Sequence, residues 1–282
     1  MTGRTIAGLA ILTLAAWGAL AAPASASRIY AGEPVSQRLQ VVLDVSDDGT
    51  ALQGLTFFLD LPCTRTARLL DMGTARPVAA LPAQPTPGSH LFAGGAVTGG
   101  RVSATLLTSR ARGDALMDVA RGELTGTMTA SEARGTLVAH RTVVERSTGR
   151  VLGSCSKTLR WRAVRGPGTV FGGRTSAGAP VVLRVTRDHR RVTRSLISWA
   201  APCRRASYYI EPHDKWLLPF AVSRGGRFDE RYRYDAGAGG AIIGRFAGRV
   251  RENRASGVFE SRFQSRRDRC GLRPQTWTAT SG

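Results

Sequence analysis

The strongest constraint on this chain is that one stretch of it is written twice. Ile29 to Cys63 reads against Val170 to Cys203: each opens on an aromatic, one residue and a glycine (Tyr30-Ala31-Gly32; Phe171-Gly172-Gly173), alternates apolar residues, and closes on Pro-Cys (Pro62-Cys63; Pro202-Cys203). The match continues beyond that opening. Leu183 and Val185 answer Leu43 and Val45, Asp188 answers Asp48, and Val192 to Trp199 answer Leu52 to Leu59, with a one-residue slip near the start. Further on, Gly226-Arg227-Phe228 is set against Gly100-Arg101-Val102, Ile243-Gly244-Arg245-Phe246 against Thr125-Gly126-Thr127-Met128, and Ser256-Gly257-Val258-Phe259 against Arg134-Gly135-Thr136-Leu137. Correspondence over most of the chain, interrupted at turns, marks a duplication.

Within each copy the apolar period is two. Leu39, Val41, Leu43 and Val45 share one face of a strand, with Gln40 and Asp44 on the other; Asp47-Asp48-Gly49 turns the chain, and Leu55, Phe57, Leu59 and Leu61 point inward on its return. This is a hairpin with a one-sided core. From Thr64 to Gly100 the pattern weakens, and Pro77, Pro82, Pro85 and Pro87 argue against a long strand between Arg76 and His90, so the stretch reads as a surface excursion. Alternation resumes at Val102 to Leu106, followed by Ala115 to Ala120, Leu124 to Ala130, Gly135 to Glu145 and Lys157 to Ala163. With 33 glycines, abundant Val, Thr and Leu, and no helical stripe, the class is all-β. The expected architecture is two tandem antiparallel β-meander domains, residues 27–165 and 170–282 around a linker at 166–169. Each domain is a small barrel or a flattened sandwich of about seven or eight short strands. Trp161 and Trp277, each shortly after a cysteine, are expected in the cores.

Residues 1–26 read as a secretory signal: Arg4 supplies the positive end, Ile6 to Ala22 the apolar run, and Ala24-Ser25-Ala26 the cleavage pattern. The mature chain is then expected to be secreted or held at the cell envelope, with no transmembrane segment left after cleavage. Export makes disulfides natural for the four cysteines. Of the three possible connectivities, only Cys63–Cys155 with Cys203–Cys270 keeps each bridge inside one copy. No C-x-x-C pair or histidine pair accompanies them, so neither a metal site nor a cofactor is expected.

Net charge is +20, and it is uneven: residues 27–169 carry +6 and residues 170–282 carry +13. All basic residues but Lys157 and Lys215 are arginine, a bias that a GC-rich genome also produces. A field of this sign attracts anionic envelope polymers, anionic lipid surfaces and, not excluded by sequence, nucleic acid. The run Arg227-Phe228-Asp229-Glu230-Arg231-Tyr232-Arg233-Tyr234 places Phe228, Tyr232 and Tyr234 on one face and Arg227, Arg231 and Arg233 on the other, a row of guanidinium groups able to grip phosphate or carboxylate bidentately. Turn-like companions carry Arg190 and Arg191, and Arg266, Arg267 and Arg269. The plain alternative is a solvated face that preserves solubility.

The order of Tyr/Phe-x-Gly, alternating strand, turn, strand to Pro-Cys, Gly-Arg, two glycine-marked hairpins, then Cys and Trp resembles a group of secreted actinobacterial β-repeat proteins with no assigned activity. The resemblance implies a fold and a compartment. Function is expected to be non-catalytic binding or a structural role through the second copy. Ligand carriage inside an avidin- or lipocalin-like barrel is one alternative. Another is a hydrolase built on Glu211, His213 and Asp214, in the Glu211-Pro212-His213-Asp214-Lys215-Trp216 segment found only in copy two. Adjacent residues of an extended chain point apart, which favours a plain polar loop there.

Overall fold

A computed structural model describes residues 27–33, 39–63, 68–204, 208–211, 219–237, 240–266 and 268–282. The signal segment lies outside them. Nine strands close the first barrel in chain order: β1 (Arg28–Glu33), β2 (Leu39–Val45), β3 (Leu52–Pro62), β4 (Arg68–Pro77), β5 (His90–Thr98), β6 (Arg101–Arg112), β7 (Leu116–Met128), β8 (Glu132–Glu145) and β9 (Val151–Val164). A ring with an odd number of strands cannot be antiparallel at every seam. The single parallel seam is β4–β5, where Arg76 faces Leu91 and Pro77 faces Phe92, and the twelve-residue connection between those strands allows it.

The second sheet comprises β10 (Val170–Thr175), β11 (Pro180–Val185), β12 (Arg191–Ile197), β15 (Phe220–Ala221), β16 (Arg227–Gly237), β17 (Gly240–Arg251), β18 (Arg254–Gln264) and β20 (Gln275–Thr280), in the order β15-β12-β11-β10-β20-β18-β17-β16, with β19 (Arg269–Gly271) beside β18. β13 (Trp199–Pro202) and β14 (Tyr208–Glu211) form a separate hairpin. The same neighbours recur in the same order as in the first barrel, but among the described residues no seam closes the ring. β5 and β6 pair along most of their length, whereas β15 has two residues and pairs with β12, and β16 is the sheet's edge among the described residues. The fold is therefore barrel-like in both domains, closed in the first and, among the described residues, open in the second.

Leu43, Phe57, Phe92, Leu106, Leu137 and Trp161 pack in the interior of the first barrel, and Phe171, Phe228, Phe246, Phe259 and Trp277 in that of the second. Each tryptophan lies over a glycine: a Cβ on Gly126 would sit 2.5 Å from Cζ2 of Trp161, and one on Gly248 2.6 Å from Cζ2 of Trp277. These contacts correct one alignment. The partner of Gly126 is Gly248, so Ala247-Gly248-Arg249-Val250 matches Thr125 to Met128, four residues further on than Ile243-Gly244-Arg245-Phe246. Met128 N–H donates to Gly100 O, and Val250 N–H donates to Gly226 O in the same way. A glycine every few residues made the wrong register equally readable.

Two further expectations are corrected. The stretch from Thr64 to Gly100 contains β4 and β5; only its middle is an excursion. β4 was hidden because Asp71 and Gly73 stand at inward positions, between Leu69 and Ala75, where alternation demands apolar residues. Most of residues 115–130 form one long strand, β7 (Leu116–Met128), rather than two. The opening hairpin is also buried on both faces. Gln40, Val42, Thr56 and Phe58 on its outer side are covered, because Ile29, Ala31 and Val42 pack on Val170, Val182 and Leu196 of the second sheet. At that seam Gly172 is required by closeness: a Cβ there would lie 2.7 Å from Ile29 Cγ2 and 2.8 Å from Val42 Cγ1. Ser198 Oγ–H donates to Gln40 Oε1 at 2.7 Å across the same seam.

Both predicted bridges are present, Cys63–Cys155 and Cys203–Cys270. In the chain-entropy account, loops closed over 92 and 67 residues contribute roughly 4–5 kcal/mol each. Among the described residues no helix is long and apolar enough to cross a membrane. Two disulfides and that observation are compatible with an extracellular protein.

Candidate functional site

Strand β16 presents its residues as the alternation requires: Phe228 is buried, Tyr232 and Tyr234 are half-buried and stacked at 6.1 Å, and Arg227, Arg231 and Arg233 are exposed on the opposite face. Arg227 to Arg233 spans about 20 Å along the strand. The arginine row is neither continuous nor confined to one strand. Asp229 lies within it and takes a bidentate pair from Arg245 of β17, Nε to Oδ1 and Nη2 to Oδ2, both at 2.7 Å. That contact holds the Asp229 carboxyl below its ordinary range and raises the Arg245 guanidinium, so the two charges satisfy each other. Beyond them the cross-strand register sets Arg227 opposite Arg249, and Ile243 opposite Arg262 of β18. Like charges opposite one another are unfavourable in a sheet unless a counter-charge or solvent intervenes.

The turn residues separate toward the two ends of this face. Arg190 lies at one end, where the β11–β12, β15–β16 and β17–β18 turns enclose a cleft of about 590 Å³ with Arg224, Arg249, Arg251 and Arg254. Arg191 is the exposed first residue of β12, paired with Ala221. Arg266 and Arg269 lie at the other end, with Arg204 and Arg233, around a cleft of about 1020 Å³. There Asp268 Oδ1 is occupied by the backbone N–H groups of Arg204 and Arg269, at 3.1 and 2.8 Å. A third cleft between them is lined by Arg231, Arg233, Arg245 and Arg262. The predicted arginines thus belong to a track running from end to end of the sheet rather than to one patch. Arg267 lies outside the described residues, as does the segment 212–216 with His213 and Asp214; Glu211 ends β14.

At the end of the sheet that holds Arg190, Arg249 is drawn below the ordinary guanidinium range by partial desolvation, then by Arg251 and Arg227. Its Nε–H donates to Gly225 O at 2.9 Å, which fixes the head group. His189 in the same turn has φ 55°, where the matching residue is Gly49 at φ 78°. A left-handed conformation is costly for a residue with a Cβ. The imidazole is held by its Nε2 hydrogen bond to Gly168 O at 2.7 Å and an edge contact with Phe171. That bond ties the linker to the turn.

A second polar constellation sits inside the first barrel, at the end carrying Cys63–Cys155, and sequence reasoning missed it. Asp71 accepts from His90 Nε2 at 3.2 Å and from Thr108 Oγ1, while Arg141 donates through Nε, at 2.9 Å, and Nη2 to Asp118 Oδ1. Thr108 contacts the carboxylate and not the imidazole, so the three do not form a nucleophile–base relay. A Cβ on Gly73 would lie 2.4 Å from His90 Nδ1, so that glycine makes room for the ring. The only sequence signal was the polar interruption of β4. Phe57, Phe92 and Trp161 fill the interior beyond. Cys203, Asp268 and Cys270 bring their ligand-type atoms within 4.8 Å of one another, but both sulfurs are spent in the disulfide and no thiolate remains for a metal.

Fold and surface together define a two-domain β protein with a closed apolar barrel and an arginine-faced, barrel-like sheet that is open among the described residues. No protein-family model, curated protein or solved structure matches the chain.

Proposed function

We propose that the chain is a secreted, two-domain, non-catalytic binding module whose second domain engages a linear anionic polymer of the cell envelope along β16–β18. The observation that carries this reading is the arginine track on that face, in which Asp229 is already neutralised by Arg245. Guanidinium groups spread along an exposed sheet face suit a repeating charge better than a single small ligand. The first domain, packed against β10–β12 through its own β1 and β2, acts as the rigid support. The resemblance to secreted β-repeat proteins and the signal-like residues 1–26 agree with an envelope location.

The test is binding of the mature chain to polyphosphate or teichoic acid as a function of salt, with Arg227→Gln/Arg231→Gln/Arg233→Gln as the comparison. Each lost phosphate contact lowers the slope of log K against log salt by roughly one. The triple variant is therefore expected to lose a slope of about three, so that its affinity falls about 60-fold less than wild type between about 50 and 200 mM salt. An unchanged slope removes the reading, and tighter binding to anionic vesicles than to polymer replaces polymer by surface.

A further inference from the structure

The turn end of the second sheet differs from the same end of the first barrel in one systematic way. The scaffolds match closely: Asp48 takes Ser46 Oγ–H and Thr50 N–H, just as Asp188 takes Thr186 Oγ1–H and Arg190 N–H. Arg165 N–H reaches Ser131 O as Ser281 N–H reaches Asn253 O. On those matched positions, Thr50 becomes Arg190, Thr127 becomes Arg249, Thr129 becomes Arg251 and Glu132 becomes Arg254. The β15–β16 turn, residues 222–226, is three residues longer than the β5–β6 turn, residues 99–100, and holds Arg224. A genome-wide preference for arginine over lysine does not place arginine at threonine and glutamate positions around one cleft. Of the acids at this cleft, Asp188 is committed to its own turn, which leaves Glu252 as the one local counter-charge.

We infer that this cleft is a discrete site for a compact tetrahedral oxyanion group, the phosphate or sulfate ester end of a larger molecule. The inference rests on the polyanion reading for the sign of the ligand but not for its location, because the cleft is built from turn residues at one end of the sheet and meets the arginine row of β16 only at Arg227, opposite Arg249. Guanidinium groups from three turns converge on one concavity, and a group with several oxygens accepts paired N–H donors from more than one of them. The cleft of about 590 Å³ exceeds one phosphate and leaves room for the unit that carries it. Arg249 is lowered by desolvation and then by its neighbours Arg251 and Arg227, and a bound anion offsets the repulsion among the three.

The experiment is titration of the disulfide-bonded mature chain at low salt with inorganic pyrophosphate and, separately, with sulfate, followed by calorimetry and by the arginine Nε–H resonances in NMR. The comparison variant is Arg251→Thr/Arg254→Glu, which installs the residues the first barrel already carries in its matching turn. A 10-fold or greater loss of affinity in that variant is expected, with perturbation of the Arg249 and Arg251 resonances. In Arg231→Gln/Arg233→Gln, pyrophosphate affinity is expected to stay within 2-fold while polymer binding weakens. Binding of pyrophosphate alone identifies phosphate as the source, and equal binding of sulfate identifies a tetrahedral oxyanion of either kind. No binding of either anion, or equal loss in the two variants, overturns the site. If polymer binding persists in that case, the broader reading stands without it.

Discussion

Asp118→Ala exposes the cost of a charge left alone inside the first barrel. Arg141 and Asp118 are 4% and 10% exposed at their side chains, and the pair is held by Nε and Nη2 of Arg141 on one carboxylate oxygen. Removing the acid strands a guanidinium beneath the Cys63–Cys155 bridge, left with the 3.7 Å approach of its Nη1 to Cys63 Sγ. Breaking a buried pair on one side costs about 3–5 kcal/mol, whereas replacing both partners by apolar groups of similar volume is often near neutral. The second sheet already uses an apolar solution: the position matching Arg141 is Phe263, which faces Cys270 as Arg141 faces Cys155. Asp118→Ala/Arg141→Met is therefore expected to recover most of the loss. Native-state hydrogen exchange of β7–β9 amides resolves the first barrel from the second, and about 3 kcal/mol appears there as more than 100-fold faster opening. A single variant that loses less than about 1 kcal/mol, or a double variant no better than the single, refutes the claim that the ion pair is buried and needed only as a pair.

Other consequences follow from the turns. Asp48 is held down to about 2 by the Ser46 hydroxyl and then the Thr50 amide. A carboxyl depressed in the folded state contributes stability above its ordinary pKa, and that contribution is lost as pH falls through about 2; carboxyl NMR titration is expected to place its midpoint there, and a midpoint near 4 refutes the assignment. Asp44 has the opposite sign: burial raises it, ahead of opposing effects from Ser27 and Arg174, so its ionised form weighs against folding at neutral pH. Asp44→Asn removes that opposing contribution and is expected to raise stability at neutral pH more than at acid pH, steepening the acid limb in thermal unfolding followed against pH; an unchanged or flatter limb refutes the assignment. At position 189, His189→Ala keeps the left-handed strain and loses the bond to Gly168, whereas His189→Gly loses the bond and relieves the strain. The glycine variant is expected to be more stable than the alanine variant by about 1 kcal/mol in thermal unfolding.

Period-two patterning, glycine-marked turns and the placing of four cysteines made the all-β class and both bridges legible, because strand alternation and loop closure are local or nearly local properties. The alternation of β16 was legible for the same reason, with Arg227, Arg231 and Arg233 outward. What the chain does not write locally is which strands meet. Closure of the first ring depends on β1 meeting β9 from the far end of the domain, whereas among the described residues the second sheet runs from β15 to β16 without such a closing seam. Burial of the outer face of β2 and β3 depends on a second domain arriving there. The inward Asp71 and Asp118 read as surface residues until His90, Thr108 and Arg141 are brought to them from other strands. The arginines of three separate turns become one cleft by the same means, since a sheet gathers at each end residues that its sequence scatters over some sixty positions. Only the tertiary structure could distinguish a charge spread over the surface from a charge collected at one place, because electrostatic focusing is set by distance and shape and not by composition.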